Sequence, residues 1–363
     1  LPFPLIRASG SPRDRGRQYG IGAANQIGRS IDFYSSEVAP ASGTTWDEIK
    51  AGLEPQVPRW REMDGESIAE MEGIAEGAGV EFVDVLALNC RGAFTAVKTT
   101  PQPDEGCTSF VVMPGSSSSG HQFTGQNWDY LTSIKDTVVL VLMEPDVGPR
   151  QLLIVEAGQV GRHGYNEAGV ALHANGLSAA LRNPAAVPSP IWRRRVLRQR
   201  NISDAMEAAL ITPRPGTTNL LISSRDGFAV DLETTPATSE ALFPDEGWLV
   251  HTNHFIGPVP EPLRLSYNPG GESLVRLGRA RQMLGTAGRN GGIAVEHMIE
   301  MLRDHVGDGR SLCAHPDLSE SPADQWGTVA SVITDLTEGL MRIAAGPPCE
   351  SDYAELRFAS IFE

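Results

Sequence analysis

Three short stretches hold the side chains best suited to chemistry: "EGCTSF", with Cys107 directly after Gly106; "GQNWDY", with Asp129; and "HTNHF", with Asn253 between His251 and His254. A cysteine becomes a nucleophile when a base takes its proton, and histidine is the usual base. His251 and His254 are available for that role. A different base needs no side chain at all. Were the bond between Gly106 and Cys107 cut, the new α-amine would lie on the same residue as the thiol. Such an amine titrates near 7.7–8.0 when unperturbed, so a useful fraction is neutral at physiological pH. Gly106 also brings no side chain to obstruct the thiol's attack on the preceding carbonyl. Each residue has a plainer reading. A free cysteine is often a small buried hydrophobe, and an Asp after a strand commonly serves a turn. The His251/His254 pair at i, i+3 would be half a metal site, but no third ligand of sensible spacing accompanies it, and such sites need three or four. No metal and no cofactor is expected.

The elements that must position these groups follow from local patterns. Helices are predicted through the first hundred residues. Ser11 caps "PRDRGRQYG", with Pro12 at the first helical position and Asp14 in the first turn. Thr45 and Glu48 form a T-x-x-E capping box. Ile68, Met71, Ile74 and Ala75 share one face of a helix that Gly77 and Gly79 are expected to end. After the Pro-rich stretch "TTPQPDEG", β-branched and alternating segments take over, from "CTSFVVM" through "WLVHTN". Helices return near 190–210 and 272–306, and "TVASVITDL" and "GLMRIAAG" read as closing strands. Hairpin-like succession of strands, with helices in blocks, predicts an α+β layering and not a parallel βαβ sheet. "CTSFVVM" and "QFTGQNWDY" flank a serine run centred near position 118, so a hairpin there brings Asp129 back alongside the Cys107 end.

Composition narrows the function classes. The chain has 363 residues, 40% hydrophobic and 21% charged, with a net charge of -15. That charge argues against nucleic-acid or anionic-membrane partners, both themselves negative. The four cysteines, 90, 107, 313 and 349, are irregularly spaced without a CxxC pair, which suggests neither a zinc site nor a disulfide framework. They read as reduced thiols of a cytoplasmic protein. The start "LPFPLIRASG" does not read as a signal peptide, although Leu1 is not an initiator methionine and a trimmed leader stays open.

With these residues in place, the sequence resembles the isopenicillin N acyltransferase family, the C45-type members of the N-terminal-nucleophile hydrolases. "GSPRDRGRQYG" and "EMEGIAEGAGVEFVDVLALNCR" are similar to its amino-terminal blocks, and "GCTSF…GQNWDY" to its cleavage and nucleophile segment. "GYNEAGVALHANGL" resembles the strand pair behind the active site, "HTNHF" the oxyanion segment and "TVASVITDL" the final core strand. The resemblance implies an αββα four-layer sandwich, one domain over 1–363. It implies autocatalytic cleavage between Gly106 and Cys107 into a mostly helical chain 1–106 and a chain 107–363 that remain partners. Cys107 would be the nucleophile and its α-amine the base. Asp129 would orient that amine or the substrate's amino portion. The Asn253 amide would stabilise the oxyanion, helped by a backbone N–H near Asn175; one such donor is worth about 3–4 kcal/mol. Gln126 would line the site, and His254 belongs to the same substrate-binding segment. The implied substrate is a small-molecule linear amide; a homo-oligomer is left open.

One departure bears on the substrate. Family members often carry "S-I-C-R" late in the chain, where this sequence has "SLCAHP", so Ala314 replaces an arginine thought to meet a substrate carboxylate. A methyl group makes no bidentate ion pair. Three further readings stand beside amide hydrolysis: an acyl-CoA-dependent N-acyltransferase of penicillin type, a histidine-assisted cysteine hydrolase, and a non-catalytic relative that binds a small ligand.

Overall fold

The computed structural model describes residues 1–91, 106–177, 181–211, 213–264 and 267–362. In chain order its main elements begin with β1 (Leu5–Gly10), α1 (Pro12–Gly22), α2 (Ala24–Phe33), α3 (Trp46–Leu53), α4 (Val57–Met63), α5 (Gly65–Ala78) and α6 (Phe82–Asn89). Then come β2 (Gly106–Val112), β3 (Phe123–Leu131), β4 (Val138–Pro145), β5 (Gln151–Glu156), β6 (His163–Asn166) and β7 (Val170–Gly176). Helices α7 (Ser189–Leu197) and α8 (Ile202–Leu210) precede β8 (Thr218–Ser224), β9 (Phe228–Thr234), β10 (Ser239–Leu242) and β11 (Trp248–His251). The chain continues with α9 (Gly271–Arg289), α10 (Val295–Leu302), β12 (Trp326–Asp335), β13 (Leu340–Ala345), β14 (Ala354–Arg357) and α11 (Phe358–Phe362).

The strands form two sheets. One has the order β1-β4-β5-β6-β7-β8-β9-β10 and the other β11-β2-β3-β12-β13-β14. Neighbours pair antiparallel, except β1, which lies parallel to β4. The sheets pack face to face where β2 and β3 meet β7, and β2 meets β8. Helix α1 packs on β1 and β4, and α7 and α8 pack on β6, β7 and β8, all of the eight-stranded sheet. On the outer face of the six-stranded sheet, Phe110, Val112, Phe123 and Ile333 meet Leu277, Ala280, Leu284, Met298 and Met301 of α9 and α10. This is the expected αββα sandwich. It explains why every residue of β3 is buried: one face looks into the other sheet and the other face into helices. No helix among the described residues is long and apolar enough to cross a membrane.

Local signals survive well. Ser11 and Thr45 accept the predicted capping bonds, and the box with Glu48 is closed. Two expectations change. β1 interrupts the helical first hundred residues, because six residues suffice to extend a sheet edge. Gly77 lies inside α5, which runs on to Ala78 and ends at Gly79 in the left-handed conformation (φ 71°). Gly77 serves a helix crossing instead. A Cβ there would lie 2.1 Å from the Arg17 carbonyl, and Gly16, Gly20 and Gly73 show the same intimacy across α1 and α5. The linker "TTPQPDE" falls outside the described residues.

Candidate active site

The site forms at the start of β2, where strand pairing decides which way each side chain faces. Gly106 pairs with Asp129, Cys107 with Trp128 and Ser109 with Gln126. Directly paired residues share a face and successive residues alternate. Cys107, Trp128 and Gln126 therefore face the eight-stranded sheet, while Gly106 and Asp129 face the helices. The hairpin does bring Asp129 back to the Cys107 end, opposite Gly106 and one position from the thiol's own partner, Trp128. The Asp129 carboxylate stands over Gly106 on the opposite face from the thiol. A Cβ built on Gly106 would lie 3.2 Å from the Asp129 Cβ.

The backbone of Cys107 is held at both ends. Its N–H donates to Asn253 Oδ1 at 3.0 Å. Its carbonyl accepts from Asn175 Nδ2 at 3.2 Å and from Arg276 Nη1 at 2.9 Å. Arg276 Nη2 also donates to Asn253 Oδ1 at 2.7 Å, and its Nη1 reaches Thr108 Oγ1 at 3.2 Å. The Asn253 Nδ2 donates to the Gly176 carbonyl at 2.9 Å, and its backbone N–H to Ser273 Oγ at 2.8 Å. Asn175 further donates to the His251 carbonyl at 3.0 Å. Cys107, Asn175 and Asn253 are wholly buried. Four segments distant in sequence, β2, β7, the turn after β11 and α9, thus meet on one residue's backbone.

Arg276 is the part of this arrangement that sequence reasoning missed. It occupies the buried stripe of α9 with Ser273, Leu277, Ala280 and Leu284. An arginine in the apolar stripe of an amphipathic helix was the available signal.

Asp129 accepts from Thr328 Oγ1 at 2.6 Å. Thr328 is its cross-strand partner, beside a bulge in β12. Burial pushes the Asp129 carboxyl up to about 7; Arg276 and the Thr328 hydrogen bond pull it down, and Glu272 adds to the rise. A cavity of about 990 Å³ opens on this face, bordered by Gly106, Asp129, Asn253, Arg276 and Ala314.

The remaining expected residues are placed differently. Gln126 borders the space between the sheets and not this cavity: its Nε2 donates to the Ala174 carbonyl at 2.8 Å, and its Oε1 meets His173 Nδ1 at 3.2 Å. The even positions of β3 face inward, which sets Gln126 on the thiol's side. Both ring nitrogens of His251 are engaged, with the Thr252 carbonyl at 2.9 Å and Glu233 Oε1 at 2.8 Å. Burial disfavours its charge, yet Asp231 and Glu233 hold it above the usual imidazole range. His254 Nδ1 meets Ser273 Oγ at 2.8 Å, and burial lowers it to about 4. Trp128 is core, with the Arg162 guanidinium 3.9 Å above its ring.

Comparison with known proteins agrees with this architecture. Residues 116–349 match the family described as acyl-coenzyme A:6-aminopenicillanic acid acyl-transferase. The chain is 27% identical over 284 residues to the acyl-coenzyme A:6-aminopenicillanic-acid-acyltransferase 40 kDa form of Emericella nidulans, covering 77% of this chain and 76% of that protein. A variant of conjugated bile acid hydrolase from Clostridium perfringens superimposes with a TM-score of 0.50 at 13% identity, over 70% of this chain and 93% of its own. The N-acylethanolamine-hydrolyzing acid amidase ortholog of Caenorhabditis elegans gives a TM-score of 0.45 at 18% identity, over 64% and 93%. The fold is that of the N-terminal-nucleophile hydrolases, and the chain belongs to the acyl-coenzyme A:6-aminopenicillanic acid acyl-transferase family.

Proposed function

We propose that this chain is a self-processing cysteine amidohydrolase that cuts its own Gly106–Cys107 bond and then hydrolyses a linear amide through an acyl-enzyme on Cys107. The observation that carries the reading is the grip on the Cys107 backbone. Asn253 accepts from the nitrogen that cleavage would turn into an amine, and Asn175 and Arg276 hold the carbonyl on the other side. A base is useful only when its lone pair is aimed, and this grip leaves the nitrogen little freedom to turn away.

In processing, the Cys107 sulfur adds to the Gly106 carbonyl carbon, the peptide C–N bond breaks, and the released nitrogen becomes the α-amine. Water then hydrolyses the resulting thioester, leaving a Gly106 carboxylate and a free thiol. In turnover, the amine takes the thiol proton as sulfur attacks the substrate carbonyl, then passes it to the departing amine. A second hydrolysis restores the thiol. Asn253 Nδ2 is the donor for the tetrahedral oxyanion and would leave the Gly176 carbonyl to do so. Asp129, on the cavity side of Gly106, would orient the amine half of the substrate, whose carbonyl would reach the thiol around the start of β2 once the Gly106 bond is cut.

The lining of the cavity favours an amine half without a carboxylate. Ala314 supplies no ion pair there, and Asp129, Glu272, Asp308, Asp317, Glu320 and Asp324 make the wall predominantly acidic. Acidic walls attract cationic or neutral amines and repel anions. A histidine-assisted mechanism finds less support, since the hydrogen bonds of His251 and His254 run to Glu233, Thr252 and Ser273.

Intact mass of denatured protein, with sequencing of each new amino terminus, tests the reading. Two fragments, one beginning at Cys107, are expected from the natural chain. Cys107→Ser should slow or abolish that cut, because a hydroxyl is the weaker nucleophile. A cut elsewhere in the loop, indifferent to this substitution, overturns the assignment.

A further inference from the structure

A second group of reactive side chains lies in the wall of the cavity, which one of its members, His315, borders beside Ala314. His305 follows α10, Cys313 and His315 belong to the loop before β12, and Cys349 sits between β13 and β14. One ligand atom from each lies within 4.8 Å of all the others. His305 Nε2 and His315 Nε2 are 3.1 Å apart, and His315 Nε2 is 3.7 Å from Cys313 Sγ and 3.3 Å from Cys349 Sγ. Zinc bonds of about 2.0–2.1 Å to nitrogen and about 2.3 Å to sulfur, arranged tetrahedrally, place ligand atoms roughly 3.3–3.8 Å apart. These separations are close to those of such a tetrahedron.

The surroundings suit the same purpose. Glu350 Oε1 lies 3.4 Å from His315 Nδ1, the carboxylate contact that fixes an imidazole's tautomer and turns its other nitrogen toward a metal. The loop is folded by its own backbone: the Cys313 N–H donates to the Asp304 carbonyl at 3.0 Å and the His315 N–H to the Gly309 carbonyl at 2.9 Å. Gly307, Asp308 and Gly309 in succession take positive φ to make this reversal. His305 and Cys349 are exposed and Cys313 is buried, so an ion has a path in and a seat to reach.

We propose that His305, Cys313, His315 and Cys349 form a Cys2His2 metal site for a zinc-type cation. All four tetrahedral positions come from the protein, which leaves none for an activated water and makes the site a structural clasp. It ties the cavity loop to the β13–β14 connection. Ala314, between two of the ligands, donates its N–H to Thr328 Oγ1 at 3.1 Å, and Thr328 in turn donates to Asp129. The clasp therefore steadies the wall that carries the hydrogen-bond partner of Asp129. It departs from the expectation of no metal, which rested on cysteine spacing and on the lack of a third ligand beside His251 and His254. These ligands come from two loops, with three on the α10–β12 loop and one on the β13–β14 loop.

The test uses the full chain, reduced, stripped with a chelator, and titrated with zinc chloride. Metal analysis after gel filtration should find about one zinc per chain, and the melting temperature should rise with zinc. Cobalt in place of zinc should give the intense visible bands and thiolate charge transfer of a tetrahedral sulfur-ligated ion. Cys349→Ser and His305→Gln alter exposed positions; each should retain the native circular dichroism spectrum yet lose at least tenfold in zinc affinity against a chromophoric chelator. Zinc well below one per chain, equal uptake by these variants, or a weak octahedral cobalt spectrum overturns the proposal. So does a Cys313–Cys349 disulfide that forms, on addition of oxidised glutathione, at the same rate with and without zinc.

Discussion

Replacing Arg276 by methionine removes a buried cation of similar bulk from the point where the site's hydrogen bonds converge. The guanidinium donates to the Cys107 carbonyl, to Thr108 and to Asn253. A hydrogen bond to a charged group contributes about 1.5–3 kcal/mol, and removing one member of a buried charged network costs about 3–5 kcal/mol. Two of the three contacts, to the Cys107 carbonyl and to Asn253, hold the residue whose nitrogen and sulfur react in the proposed cleavage. A loss of about 3–5 kcal/mol there slows processing by roughly 10²- to 10⁴-fold. The charge has a separate effect, because Arg276 opposes the burial that raises the Asp129 carboxyl to about 7. Without it the carboxyl rises further. The assay isolates freshly synthesised precursor at acidic pH, jumps it to a series of pH values and follows the Cys107-initiated fragment by intact mass. Asp129 is paired with Gly106 at the bond to be cut, and its ionised form would stabilise the protonated amine that cleavage releases. The natural chain should therefore show a limb rising through about pH 7 as Asp129 ionises. Arg276→Met should lower the plateau and move the limb to higher pH, and Arg276→Lys, which keeps the charge but not the fork, should lower the plateau without moving the limb. A limb in the same place in the methionine variant, or processing at the natural rate, would refute the coupling. Thermal melts separate this from simple unfolding. The stability sign is also defined: the folded carboxyl titrates above its unfolded value near 3.9. Its contribution is thus full below about pH 4 and lost as pH rises through about 7.

Three other outcomes follow from the geometry. Gly73→Ala would set a Cβ 2.2 Å from the Arg13 carbonyl and should destabilise the α1–α5 crossing by about 1–3 kcal/mol, read as a lowered melting temperature; an unchanged melt would mean the helices part freely. Asn253→Ala removes the acceptor of the Cys107 N–H and the proposed oxyanion donor, and should cut kcat by about 10²–10³ with little change in KM; a loss confined to KM would place Asn253 in binding alone. Ala314→Arg introduces a guanidinium at the cavity wall and should improve KM for carboxylate-bearing amides over neutral ones by roughly tenfold to a hundredfold, measured by direct competition. Equal preference would show that this wall does not meet the amine half.

Much of this molecule is legible without coordinates. Ser11, the Thr45/Glu48 box and Gly79 mark helix ends by local hydrogen bonding and backbone freedom, and the hairpin that carries Cys107 and Asp129 declares itself by alternation around a serine run. Other features resisted for identifiable reasons. Gly77 has the composition of a helix terminator but is a contact glycine, since its role depends on a second helix 60 residues away in sequence. β1 is too short to show a period and exists because β4 offers it an edge.

Local pattern settles which segments are strands or helices, where they begin, and which reactive groups ride on them. Which of those groups meet depends on how the layers pack. Strand alternation has a period of two, so pairing Asp129 with Gly106 put its carboxylate and the Cys107 thiol on opposite faces, although the hairpin brings them to the same end. Arg276 entered the site because α9 turns its buried stripe onto β2. His305, Cys313, His315 and Cys349 converge because two loops, one between α10 and β12 and one between β13 and β14, meet at one place in the fold. Side-chain convergence across distant segments is a property of packed layers, and no local pattern encodes it.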